Sequence, residues 1–79
     1  MTHYNVDYSG LTGQAKQDKA IEDVKGYLGT KQFVKVCNDP LVKTLTKEQF
    51  MFQCSMFVGI SGYPAEAFAD FLNLKSKEQ

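Results

Sequence analysis

The chain has 79 residues, 43% of them hydrophobic, with nine lysines balanced by nine Asp plus Glu and neither Arg nor Trp. That content supports one small core and excludes a disordered segment. The missing Arg, the side chain best suited to bidentate phosphate and guanine contacts, argues against a nucleic-acid partner. No apolar run approaches the roughly 20 residues that span a bilayer.

Residues 1–12 read as an extended arm. Tyr4, Val6 and Tyr8 alternate with polar residues, and Ser9-Gly10 and Thr12-Gly13 supply turn chemistry. The segment MTHYNVDYSG carries neither the basic region nor the apolar run of a signal peptide, so a cytoplasmic location is expected. A first helix follows over 14–28, where Ala20, Ile21, Val24, Tyr27 and Leu28 recur at helical spacing and Gly29 occupies the stop position. Segment 31–38 is ambiguous. Val-Lys-Val alternation suits a strand, while Phe33, Val34 and Cys37 suit a helix capped by Thr30, and the helical neighbours favour the helix. Asp39-Pro40 then opens a short helix over 40–45.

The apolar density peaks between Thr46 and Ile60. Thr46 and Gln49 form a capping-box pattern. Beyond it Phe50, Met51, Phe52, Cys54, Met56, Phe57, Val58 and Ile60 surround the helix axis, interrupted only by Gln53, Ser55 and Gly59. A helix apolar on every side is expected at the centre of a fold, with neighbours all around it. After a Ser61-Gly62-Tyr63 corner, Pro64 starts a last helix over 64–74, and 75–79 is a polar tail expected to fray. The fold expected is an all-α single-domain bundle of four to five short helices. The alternative is α+β, with short strands near 3–8 and 32–37.

Chemistry-bearing patterns are sparse. The sequence around Gly59-Ile60-Ser61 has the rhythm of a helix-turn-helix corner, but the helix behind it offers Glu66 and Asp70 where a DNA reader needs basic or amide groups. Gly59-Ile60-Ser61-Gly62 departs from a nucleophile elbow at Tyr63, and the single histidine, His3, lies in the arm. Cys37 and Cys54 sit in apolar surroundings, as reduced, inert thiols do, and are too few for a disulfide framework or a metal site. No catalytic residue, cofactor or metal is therefore expected. The scattered lysines, alternating with acids, describe solvated faces.

What remains is the Met and Phe cluster, which packs a core, forms an adhesive face, or does both. Met51, Phe52, Met56, Tyr4, Tyr8 and Tyr63 are the candidate interface residues. The functional expectation is a small non-enzymatic interaction module: an accessory or regulatory protein, of the kind viruses and phages use, that binds a larger protein to inhibit or adapt it. It is also expected to form a homo-oligomer. A helix-turn-helix DNA-binding regulator and a small-ligand binder with a pocket between the central and last helices are the alternatives.

Overall fold

The computed structural model describes Tyr8 and residues 10–76, and it is all-α. Helix α1 spans Gly13–Leu28, α2 Thr30–Cys37, α3 Lys47–Gln53 and α4 Tyr63–Phe71; a 3-10 turn covers Val42–Thr44, and a π turn, Cys54–Val58, continues α3. No strand occurs among the described residues, so the strand alternative at 32–37 is set aside, and the one at 3–8 lies almost wholly outside them. Helical spacing decides α2. Phe33 is buried and Val36 and Cys37 are half-buried on its side, while Val34 and Lys35 face outward.

The joints differ from expectation for local reasons. Thr30 is the first residue of α2 and not its cap; the whole connection is Gly29, at φ 90° and ψ 147°. Its N–H donates to the Lys25 carbonyl at 2.8 Å and its own carbonyl accepts from the Phe33 N–H at 2.9 Å, so one residue serves both helices. Such a φ favours glycine. Segment 40–45 forms only a single 3-10 turn. The Asp39 carboxylate accepts from the Leu41 N–H at 2.9 Å, and the Thr44 hydroxyl donates to the Leu41 carbonyl at 2.7 Å. The Thr44 bond engages a carbonyl that a continued α-helix would use, whereas the Asp39 bond satisfies a donor at the start of the turn. Helix α4 stops at Phe71 because Asn73 turns left-handed, at φ 63°. Leu74 then folds back, donating its N–H to the Ala69 carbonyl at 3.0 Å and burying its side chain.

The capping box at Thr46 is complete. Gln49 N–H donates to Thr46 Oγ1 at 3.1 Å, and Thr46 N–H donates to Gln49 Oε1 at 3.0 Å. Lys75 and Ser76, expected to fray, are held against this helix start: Lys47 N–H donates to the Lys75 carbonyl at 2.6 Å and Ser76 Oγ to Glu48 Oε2 at 3.1 Å. Residues 77–79 lie outside the described residues.

The centre of the molecule is α4 and not the 46–60 segment. Pro64, Ala65, Ala67, Phe68 and Ala69 of this helix are all buried. Its alanines let α1 and α3 both pack closely against it. Phe68 anchors the core, stacked on Phe33 at 5.3 Å between ring centroids and edge-on to Phe50 at 5.2 Å. Val24, Cys54, Ile60 and Leu72 complete the cluster. The molecule measures 32 × 27 × 19 Å. With a helix about 10 Å across, the shortest dimension holds two helical layers; α3 packs on α4 through Phe50, while its Phe52 and Gln53 are exposed.

Candidate functional site

The uncovered side of α3 and the π turn is where apolar surface collects. Phe50 and Cys54 point into the core, and Met51 is half-buried against it. Phe52, Met56 and Phe57 are 64%, 62% and 78% exposed, and Leu41, ahead of the 3-10 turn, is 74% exposed. Lone exposed apolar side chains are ordinary, but several together on one face are not.

The π turn contributes directly to this exposure. In an unbroken α-helix Phe57 would come seven residues after Phe50, two turns on, and share its buried face. The wider turn adds a residue to the winding and rotates the later side chains around the axis. The Cys54 carbonyl closes it, accepting from the N–H groups of Gly59 and, at 3.1 Å, of Ile60. Gly59 is left-handed, at φ 75° and ψ 19°. Ile60 then plunges into the core, fully buried, while Phe57 is left at the surface.

Three shallow hollows indent this face, and Gln53 borders each of them. The first, about 340 Å³, lies between Leu45 and Phe52 and is edged by Glu48 and Gln49. The second, about 130 Å³, is almost wholly apolar, with Val36, Val42, Phe57 and Val58 around a floor of Phe50 and Phe68. The third, about 360 Å³, runs beside Leu41, Val42 and Leu45 to Asp39. Only the second reaches between the 46–60 segment and α4, and it is smaller than the roughly 300–1,000 Å³ of small-molecule sites. Phe52, Phe57 and Leu41 thus stand in the walls of three hollows that share Gln53, and Met56, four residues after Phe52, is exposed as well.

The remaining candidates lie elsewhere. Tyr8 and Tyr63 are brought together, edge to face at 5.2 Å, and Lys16 Nζ stands 4.4 Å from the Tyr63 ring centroid. This group ties the approach to α1 onto the start of α4. Burial, reinforced by the charge of Asp23, raises the Tyr8 phenol above its ordinary value. Tyr4 lies outside the described residues. The structure therefore leaves Phe52 and Met56 both exposed, half-buries Met51 against the core, and places Tyr8 with Tyr63 in a separate cluster.

Phe57, Leu41 and Gln53 belong to the surface but are not among the sequence-derived candidates. Phe57 is part of the Met and Phe cluster, yet only the π turn sets it outward. Leu41 stands in a segment whose sequence reads as helical, where its exposure has no signal. Gln53 looks like an interruption of an apolar run rather than its centre.

Glu66 and Asp70, the acids behind the helix-turn-helix-like corner, both engage Lys47, at 3.2 and 3.1 Å. The Asp70 carboxylate, seconded by Glu66, holds the Lys47 ammonium above its usual range. Burial pushes the Cys54 thiol up to about 11 from an ordinary 9.0. Cys37 is only half-buried; desolvation raises its thiol, partly offset by Lys43. Among the described residues no three His, Cys or carboxylate groups gather as metal ligands would, and no helix is long and apolar enough to cross a membrane.

Comparison with protein-family models, with curated proteins and with solved structures gives no match.

Proposed function

We propose that this chain is a non-enzymatic protein-interaction module, an accessory or regulatory protein that binds a larger protein and inhibits or adapts it. The observation that carries this reading is the placing of three exposed side chains, Leu41, Phe52 and Phe57, in the walls of hollows that share Gln53. Aromatic and Met side chains are enriched at the centres of interfaces, where they gain most from leaving water. The charged side chains Asp39 and Glu48 each line one hollow, whereas the apolar Val42 and Leu45 are each shared by two. Apolar side chains gathered around one polar group are the layout of a recognition surface.

The test is differential capture. Wild-type chain and a Phe52→Ser/Met56→Ser variant are immobilised and challenged with lysate of the source cell, with Val34→Ser, on α2, as control. Both altered side chains are exposed, so the helical circular dichroism of the variant stays unchanged. The expected result is a protein retained by wild type and Val34→Ser and lost from the double variant. Retention of the same proteins by all three would refute the reading.

A further inference from the structure

We infer that the second hollow is a socket for one uncharged, ring-sized side chain of the partner, a phenylalanine. The inference deepens the proposed function by naming the group that the partner inserts, and it rests on that reading.

Capacity is the first argument. At about 130 Å³ the hollow lies below the range of small-molecule sites. It is close to the roughly 150 Å³ of an apolar cavity that stays dry and takes up benzene. A single side chain fits where a whole metabolite does not. Entry is open, because exposed Phe57 and Gln53 stand in the wall while the floor, Phe50 and Phe68, is buried.

Chemistry is the second. Among the described residues no charged side chain lines this hollow, whereas Glu48 lines the first and Asp39 the third. The polar side chains in its lining are the Gln53 amide and the Cys54 thiol, which burial keeps neutral up to about 11. A charged group entering here would lose water and meet no counter-charge. Phe50 and Phe68 stand edge to face, 5.2 Å between centroids, and present aromatic surface to an entering ring.

The π turn is the third. Such turns recur at functional sites. This one supplies Cys54, Phe57 and Val58 to the wall and leaves Phe57 78% exposed. In a regular α-helix Phe57 would lie above Phe50, and both residues line the hollow. The turn therefore leaves open a place beside Phe50 that the chain's own phenylalanine would cover. A partner's phenylalanine matches that place in size and polarity.

Methyl NMR of the full chain, titrated with N-acetylphenylalanine amide, tests this. The expected result is saturable movement of the Leu28, Val36, Val42 and Val58 resonances with a Kd of about 1–10 mM, while Ile21 stays still. Benzene should move the same methyls, and N-acetylserine amide should move none. Val36→Phe fills the hollow from its wall and should weaken binding at least tenfold; Val42→Phe repeats the test if that variant unfolds. Either folded variant should also lose the protein that wild type captures from lysate. Absence of saturation overturns the inference. So does binding indifferent to both substitutions, or retention of the captured protein by both variants. Benzene bound while the amide is excluded would make the hollow a site for free rings and overturn the side-chain occupant. Amide binding by Phe57→Ala alone would show Phe57 plugging the hollow itself, and overturns it too. Each of these leaves the interaction module standing, which falls only if the Phe52→Ser/Met56→Ser variant captures what wild type does.

Discussion

At Gly59 two constraints meet. Its left-handed φ suits a residue without a side chain, and a Cβ there would stand 3.3 Å from the Tyr27 hydroxyl. The residue also positions its successor, since Ile60 reaches the core only because the chain reverses here. Gly59→Ala is expected to cost about 1–2 kcal/mol, the penalty of a left-handed non-glycine residue. Urea denaturation measures it, and an unchanged midpoint would show that the π turn unwinds to accommodate the methyl group. Phe57 teaches a related lesson. Its composition and spacing assign it to the core, yet it is among the most exposed large side chains. Exposure at that position is set by a backbone carbonyl three residues earlier, and no property of phenylalanine reports it.

Among the elements, α3 is the most legible at its start and the least at its end. Thr46 and Gln49 announce the capping box because both partners are local and of specific type. Thr46→Ala removes the hydroxyl that accepts from Gln49 and should lower stability by about 1 kcal/mol. Thermal or urea unfolding reads this directly, and a loss below a few tenths would mean that the Lys75 carbonyl at Lys47 already secures the helix start. The π turn has no comparable signature, because its extra residue depends on Gly59 and Ile60 sharing one carbonyl. Helix α4 is legible in extent but not in rank. Its alanines carry little apolar mass and so draw less notice than the phenylalanines upstream. Small side chains are nonetheless what lets one helix be enclosed by others, and the bulky ones are partly left outside.

For the molecule as a whole, the titrating groups that the fold perturbs act in one direction. Cys54 keeps its proton in the fold up to about 11, while an ordinary thiol loses it near 9.0. Between those values the native state binds more protons than the unfolded chain, so stability falls as pH rises. The phenols of Tyr8 and Tyr63, also raised by burial, extend the loss upward. Lys47 adds to it, since its ion pairs contribute below its unfolded value and vanish as pH climbs through its raised folded one. Denaturation from pH 8 to 11 is therefore expected to show a steady decline, on the order of 2 kcal/mol of it from Cys54. Cys54→Ala should start lower and fall less steeply; equal slopes would remove the thiol from the account. The all-α class is readable at this scale from helical spacing alone. The site is readable only in part: Phe52 and Met56 stand out in the sequence, while the flatness that exposes them is a property of the assembled layers.

Gln53 carries a consequence of its own. In the free chain water satisfies its amide, and an apolar cover would remove that water. Leaving the donor and acceptor unmatched costs about 1–3 kcal/mol. Any cover must therefore present an amide or an equivalent group at that point. A docking displaced by one side chain would still bury phenylalanine and leucine but would strand the amide. The apolar ring can supply adhesion in many alignments. The one polar atom group at its middle makes those alignments unequal, and so converts a sticky surface into one with a preferred register.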